Sequence, residues 1–194
     1  METIDTLKSV ISKRRGIARS NLFRVYLPTD IPGSHKLSSD ELNVLCTNVN
    51  LPGRQILTQE RLIGIKGRKM PTGFASDDVS MTFYCLNDYG IREYFEAWQD
   101  LIISQNTYEI AYTDEYCRDI EIAQLKKGMG FDVPIDRIFG LNVDIDIRTK
   151  EETIYKCKLL EAFPTTMNAI ELSNELDGLV QLNVQLSYRN WSSV

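Results

Sequence analysis

Apolar and polar residues alternate along several segments of this chain, and the clearest case lies near its C-terminus. Side chains of a strand point alternately to two faces, so residues 179–191 predict a single half-buried β-strand. The polar face of this strand carries amides and only one charge, Arg189. A neutral face of this kind is expected to pair with another surface or to lie opposite one. The amide residues are Gln181, Asn183 and Gln185.

The same period predicts the remaining strands of the chain. Segment 152–167 predicts a strand that ends at Pro164, since proline cannot donate a hydrogen bond to a sheet. Glycines and cationic residues interrupt the apolar positions of 54–73, which favours a long twisted hairpin or arm. The other predicted strands are 21–28, 41–53, 78–88, 117–125 and 141–149.

A helical period replaces the alternation in two places. Residues 89–104 carry an apolar stripe at helical spacing with charged residues on the opposite side, which predicts the main helix. Residues 3–12 predict a short N-terminal helix. The stripe of the main helix consists of Ile91, Tyr94, Phe95, Trp98, Leu101 and Ile102.

Strands joined by loops dominate this pattern. It predicts a mainly β chain, an antiparallel sandwich or barrel with one flanking α-helix at about 89–104. The length of 194 residues fits one domain, 1–194.

Composition narrows the classes of function. The net charge of −5 and the pI of about 5.0 argue against tight, sequence-specific DNA binding, which needs a basic face. The four cysteines are at least 32 residues apart, so they lack zinc-site spacing and favour free thiols in a reducing compartment. We expect no signal peptide and no membrane span, and hence a protein that is soluble and intracellular when made.

One concentrated basic patch follows the N-terminal helix and includes Arg14 and Arg15. Three interpretations stay open for it: a solvated tail, an electrostatic contact with an acidic neighbouring copy or partner, and nucleic-acid binding.

Candidate catalytic or metal-binding residues are few. His35 is the single histidine and lies in a loop without a cysteine nearby. Asp144 and Asp146 project from one strand face like half of a carboxylate pair, and we interpret them as an exposed acidic face. We therefore expect no catalytic residue, cofactor or metal. A hydrolase with a distant carboxylate pair and a carbohydrate- or nucleic-acid-binding module remain the alternatives.

Several motifs occur in an order that resembles the tail tube protein family of contractile-tailed (myovirus, T-even-like) bacteriophages. The most specific is the C-terminal run "FPTTMNAIELSNELDGLVQLNVQLSYRNW", and the helix motif "FEAWQDLI" is a second mark. The others are "NLFRVYL", the "LPG" at 51–53 and "DVSMTFYCLND". Residues 126–148 look like an insertion relative to shorter members.

The resemblance implies a structural virion protein and not an enzyme. Its members form hexameric rings whose strands join into a continuous inner β-barrel, and the rings stack into a hollow tube inside a contractile sheath. The implied partners are other copies, the sheath protein, a baseplate or tube initiator, a tail terminator, the tape measure protein and DNA in transit, without a membrane. The implied location is the phage tail. A tube-like baseplate, tube-initiator or secretion-type ring protein of the same fold is the alternative.

The resemblance also gives candidate residues for assembly. The arm would dock on acidic surfaces of the next ring, and the N-terminal patch would contact a neighbouring subunit. A neutral or acidic lumen wall would let DNA slide, because cations would bind its phosphates. Candidate contact residues are Arg54, Arg61, Lys66, Arg68, Lys69, Arg14 and Arg15. Lumen candidates are Asp144, Asp146, Gln181, Asn183 and Gln185.

Overall fold

The computed structural model describes residues 3–14, 16–33, 37–63, 66–105, 107–126, 152–170, 172 and 178–194. The helices within these residues are α1 (Ile4–Lys13), α2 (Ser39–Leu45), α3 (Gly90–Ile102) and α4 (Thr113–Tyr116). The strands are β1 (Phe23–Tyr26), β2 (Cys46–Val49), β3 (Gln55–Ile63), β4 (Lys66–Ala75), β5 (Val79–Tyr84), β6 (Arg118–Lys126), β7 (Glu152–Met167), β8 (Gln181–Ser187) and β9 (Asn190–Ser193). In this described part of the chain, no helix has the length and apolar character that crossing a membrane requires.

The strands form two sheets within the described residues. Six of them follow the order β1-β6-β7-β8-β5-β2, and β9 adds to this sheet by pairing with β7. β3 and β4 form a separate two-stranded hairpin. The pairs β2–β5, β3–β4, β5–β8, β7–β8 and β7–β9 are all antiparallel. The mainly β, antiparallel prediction is therefore confirmed, and the two predicted helices are present as α1 and α3. β3 and β4 occupy the segment 54–73 that was predicted as an arm or hairpin.

The core lies between α3 and one face of the β5–β8 pair. The inward residues of both strands are fully buried, and so are the aromatic residues of α3. The rings of Phe83 on β5 and Phe95 on α3 are 5.3 Å apart, and Phe95 stacks on Trp98 at 6.5 Å. Aromatic burial of this extent is a large part of the stability of a small domain. The inward strand residues are Val79, Met81, Phe83, Leu182, Val184 and Leu186.

Two buried polar groups fix α3 to neighbouring loops. The hydroxyl of Tyr94 donates a hydrogen bond of 2.6 Å to the Pro28 carbonyl, and the indole Nε1 of Trp98 donates one of 2.8 Å to the Tyr116 carbonyl. Burial raises the pKa of Tyr94 above its usual range, so this hydroxyl stays protonated and donating.

The predicted strand at 41–53 is wrong in its first half. Residues 39–45 form α2, and the strand begins only at Cys46. Ser38 and Glu41 make a capping box, in which the Ser38 Oγ accepts from the Glu41 amide and the Ser38 amide donates to the Glu41 carboxylate. The apolar residues Leu42 and Cys46 are four positions apart, a spacing that also suits a helix face.

The expected end of a strand at Pro164 is also wrong, because β7 continues to Met167. The pairing of β7 with β8 shifts register between Pro164 and Thr166, and proline is tolerated at such an irregularity. Glu161 has a positive φ of 52° and separates the part of β7 that pairs with β9 from the part that pairs with β8.

The single C-terminal strand that we predicted is divided in two. β8 ends at Ser187, and β9 begins at Asn190 after a break at Tyr188 and Arg189. The Arg189 amide donates to the Leu160 carbonyl at 3.1 Å, which directs the chain onto β7. β8 pairs with β5 on one side and β7 on the other, so it lies inside the sheet and not at an edge.

The chain divides into two compact units, 1–24 with 123–156 and 25–122 with 157–194. The single domain at 1–194 stays a prediction. His35, the strand at 141–149 and most of the predicted insertion at 126–148 lie outside the described residues.

All four cysteines are free thiols, as the sequence predicted. Cys46 and Cys157 are buried, and Cys85 and Cys117 are half-buried. Burial raises the pKa of Cys46 to about 12, so its thiol stays protonated at neutral pH.

The substitution Trp98→Ala tests the packing of α3 on the sheet. It empties the largest fully buried side chain and leaves the Tyr116 carbonyl without its donor. We expect a loss of about 3–5 kcal/mol in the free energy of unfolding, measured by urea denaturation and circular dichroism. The exposed Asp100 on the same helix is the control, and Asp100→Ala should change stability by less than about 0.5 kcal/mol. Equal effects of the two substitutions would contradict this account of the core.

Candidate assembly surfaces

On the side opposite α3, the rows that join β2, β5, β8 and the end of β7 contain polar residues without charge. In an antiparallel sheet, residues directly opposite each other share a face. One row runs from Asn48 through Thr82 to Asn183. The others join Ser80 with Gln185 and Thr166, and Tyr84 with Gln181. We call the set Asn48, Ser80, Thr82, Tyr84, Thr166, Gln181, Asn183 and Gln185 the neutral face.

Short polar side chains hold the centre of the neutral face in place. The Asn183 Nδ2 donates to Ser80 Oγ at 3.0 Å and to Thr82 Oγ1 at 3.2 Å, while its Oδ1 accepts from Asn168 Nδ2 at 3.2 Å. Thr47 Oγ1 donates to the Thr82 carbonyl at 3.1 Å. The resulting surface offers hydrogen-bonding groups without attracting ions.

The predicted lumen residues fall in two places. Gln181 is exposed on the neutral face, and Asn183 and Gln185 are half-buried on it. Asp144 and Asp146 lie outside the described residues. Asn48, Ser80 and Thr82 lie on this face but were not among the predicted lumen residues, although the polar alternation of β5 was an available signal for Ser80 and Thr82.

The β3–β4 hairpin is exposed on both faces. Almost every described side chain in it is solvent-accessible. Arg61, Lys66, Arg68 and Lys69 form no ion pair with any described residue. The hairpin also exposes the apolar residues Ile56, Leu57, Leu62, Met70 and Phe74.

Two of the predicted contact residues are brought together in a way that costs stability. Arg61 and Arg68 are direct partners across the hairpin and share one face, whereas Lys69 lies opposite Glu60 on the other face. Like charges directly opposite each other destabilise a strand pair. An anionic surface placed over the two arginines would remove this repulsion.

Arg54 lies at the base of the hairpin and has partners within the chain. Its guanidinium stacks 4.9 Å from the ring centre of Trp191 on β9 and 5.7 Å from that of Phe74. This cation–π contact links the hairpin to the C-terminal strand. Arg14 is exposed at the end of α1, and Arg15 lies outside the described residues.

Charges elsewhere on the sheet are paired. Lys158 Nζ lies 2.9 Å from Asp119 Oδ2, and Arg189 lies 2.7 Å from the Glu161 carboxylate beside the positive-φ residue of β7. The hydrogen bond from Lys158 lowers the pKa of Asp119. These pairs support the strand geometry, whereas the hairpin cations named above form no ion pair with a described residue.

A second exposed surface follows α3 and was not recognised from the sequence. Residues 103–105 and 107–112, here called the α3–α4 loop, are tied by an antiparallel bridge between Ile103 and Ile110. Both isoleucines are exposed, together with Tyr108 and Tyr112. Open apolar side chains held on an ordered loop indicate a contact surface.

Among the described residues, no group of three or more His, Cys, Asp and Glu side chains is arranged to hold a metal ion. The surfaces above offer hydrogen bonds, charge and apolar area for contacts between proteins.

The sequence matches the model of one family, described as phage tail tube protein, over residues 18–194. No curated protein matches the chain. A chain of the anti-feeding prophage baseplate covers 92% of this chain and 95% of its own length, with 10% identity and a TM-score of 0.58.

Two further solved structures come from an extracellular contractile injection system, PVC. A chain of its sheath-tube complex shares 16% identity at a TM-score of 0.57, covering 92% of this chain and 91% of its own. A chain of its sheath/tube terminator shares 16% identity at 0.56, covering 92% and 96%. At such identities the likeness shows the fold alone. The family match covers most of the sequence, so this chain belongs to the phage tail tube protein family and is a structural subunit of a tail tube.

Proposed function

We propose that this chain forms rings of six copies that stack into a hollow tube inside a contractile sheath, with the neutral face lining the channel through which DNA is ejected. The neutral face is the observation that carries this proposal. α3 covers one side of the β5–β8 pair, and on the other side no residue in the rows of the neutral face, which join β2, β5, β8 and the end of β7, is charged.

The physical argument concerns the phosphates of DNA. Lysines and arginines on a channel wall would neutralise phosphates and release counterions, which favours binding and slows transit. Amides and hydroxyls hydrogen-bond to water equally well with or without DNA nearby. A neutral wall therefore lets a polyanion pass without holding it.

Ring closure can use the ends of the main sheet. β1 and β2 end the strand path, so within the described residues each has a side without a strand partner. Free strand edges invite pairing with other chains, and pairing around a closed ring removes them. The inner β-barrel that the family resemblance implies would form in this way.

Stacking of rings is assigned to the β3–β4 hairpin. Its unpaired cations and exposed apolar residues fit an acidic, partly apolar surface on the next ring. Arg61, Lys66, Arg68 and Lys69 would make the contacts, while Arg54 would anchor the base of the hairpin. Arg14 and Arg15 would contact a neighbouring subunit.

The partners follow from this role. They are other copies of the chain, the sheath protein, a baseplate or tube initiator and a tail terminator, with the tape measure protein and transiting DNA in the lumen. The protein would assemble in the host cytoplasm and reside in the virion tail, without catalysis or a cofactor. Negative-stain electron microscopy of a concentration series tests the role: hollow tubes support it, and rings that never stack favour a baseplate-proximal protein.

Lysines placed on the neutral face test its position in the tube. With Gln181→Lys and Gln185→Lys, tubes should still form, because the face contacts water and not protein. The tubes should then retain roughly tenfold more short duplex DNA, protected from DNase I, than wild-type tubes.

The control Thr107→Lys adds a cation on the exposed α3–α4 loop. DNA bound there should remain sensitive to the nuclease. Loss of tubes in the double lysine variant, or nuclease-sensitive DNA on it, would mean that the neutral face does not line the channel.

The arginine pair of the hairpin provides a test of stacking. Arg61→Gln with Arg68→Gln should leave the folded chain at least as stable, because the repulsion is relieved, while tubes give way to single rings. Arg61→Lys with Arg68→Lys is the matched control, since it keeps both positive charges at the same paired positions and should keep the tubes. Sedimentation and electron microscopy measure the outcome. Unchanged tubes from the double glutamine variant would exclude Arg61 and Arg68 from the stacking contact.

A further inference from the structure

The N-terminal helix α1 has an apolar face with no partner among the described residues. None of its residues is buried, and Leu7 is 61% exposed although it lies on the apolar side with Ile4 and Ile11. The family match begins at residue 18, so α1 lies outside the part of the chain that the family accounts for.

An isolated helix of this length is not stable in water. Ten residues give too few hydrogen bonds to offset nucleation, so tertiary or intermolecular packing must supply the rest. The apolar stripe of α1 shows which side that packing covers. The opposite side carries Ser9, and the basic residues Lys8, Lys13 and Arg14 flank the stripe or follow it.

The α3–α4 loop has the complementary chemistry. Ile110 is 74% exposed and held in place by its bridge to Ile103, so its side chain is presented on an ordered backbone. Two further hydrogen bonds close the loop, from the Ser104 amide to the Glu109 carbonyl at 3.1 Å and from the Ala111 amide to the Ile102 carbonyl at 3.0 Å.

Grooves flank this loop on both sides, each of about 590 Å³. Gln99, Tyr108 and Phe163 line one groove, and Leu101, Ile110 and Tyr112 line the other. The second groove is bordered by the carboxylates of Asp100, Glu109 and Glu115, and within the described residues it contains no basic side chain. The surface is apolar in its centre and acidic at its rim.

We propose that α1 of one copy docks its apolar face on the α3–α4 loop of a second copy, with its basic C-terminal end beside the acidic rim. Leu7 and Ile4 would cover Ile110 and Tyr112, and Lys13 and Arg14 would face Glu109 and Glu115. Interfaces of this type combine apolar burial with charges that fix orientation.

A second copy is the favoured occupant because the chain supplies both complementary surfaces in equal number. DNA would be repelled by the acidic rim. The contact rests on the proposed function in one respect, the role of Arg14 toward a neighbouring subunit, but it uses neither the neutral face nor the hairpin and can be detected whether or not tubes form.

Cross-linking between two added cysteines tests the contact. Full-length Leu7→Cys and Ile110→Cys chains, carrying tags of different mass, are mixed under reductant and then mildly oxidised. The native thiols are buried or half-buried, and the wild-type chain measures their background. Leu7→Cys mixed with Glu152→Cys, an exposed position elsewhere, is the matched control.

We expect the Leu7–Ile110 mixed dimer to exceed the control by at least about tenfold, since burial of an apolar anchor strengthens binding by that order. Adding Val10→Asp to the Leu7→Cys chain should reduce the yield by about tenfold, whereas Ser9→Asp on the opposite side of α1 should leave it unchanged. Both positions are exposed, so neither change should affect folding.

Two outcomes would overturn the proposal. One is a mixed-dimer yield equal to that of the control. The other is an intrachain link without dimers in the Leu7→Cys, Ile110→Cys double variant, which would place α1 on its own chain. Because the assay reads cross-linked pairs, it can fail while tubes form normally, and it can succeed where tubes do not form.

Discussion

The packing of α3 on the β5–β8 strand pair determines what the rest of the molecule can do. An aromatic stripe on the helix and six apolar side chains on the strands bury one face of the sheet completely. The alternation of strand side chains then sends every second residue of β5 and β8 to the other face. α3 does not cover that face, so core packing does not constrain which residues lie on it. The neutral face is a direct consequence of where the helix lies.

Charge is separated among the surfaces of this chain. The paired rows of the neutral face hold no charge, the hairpin holds cations without an ion pair to any residue that the structure describes, and the rim of the α3–α4 loop holds carboxylates. A single folded chain gains little from such separation, because exposed charges interact weakly across its surface. Copies placed side by side gain more, since the basic elements of one can meet the acidic rim of another. The net charge of −5 gives no information about this arrangement, because the arrangement depends on which surface each charged residue occupies.

The sequence predicted the elements with a strong period and failed where local chemistry or distant contacts decide. The apolar residues of α3 follow the helical period closely and those of β5 follow the strand period, because a buried face accepts mainly apolar side chains. The start of the predicted strand at 41–53 was wrong because the spacing of Leu42 and Cys46 suits a helix as well as a strand. The Ser38–Glu41 capping box favours the helix. The break at Tyr188 and Arg189 depends on pairing with β7, a contact distant in sequence. The neutral face was predicted only in part. The alternation of β8 indicated its amide residues, whereas the positions of Asn48 and Ser80 beside them depend on strand order and register.

The exposed elements explain why the free chain is an incomplete structure. Among the described residues, the repulsion between Arg61 and Arg68, the open apolar side chains of the hairpin and α1, and the sides of β1 and β2 without a strand partner all cost free energy in isolated subunits. Evolution usually removes such features from monomeric proteins by adding charge or covering elements. Their retention here beside a fully packed core implies that contacts with other chains offset the cost. The packed sheet determines the shape of the subunit, and contacts made by the exposed elements stabilise its association with other chains.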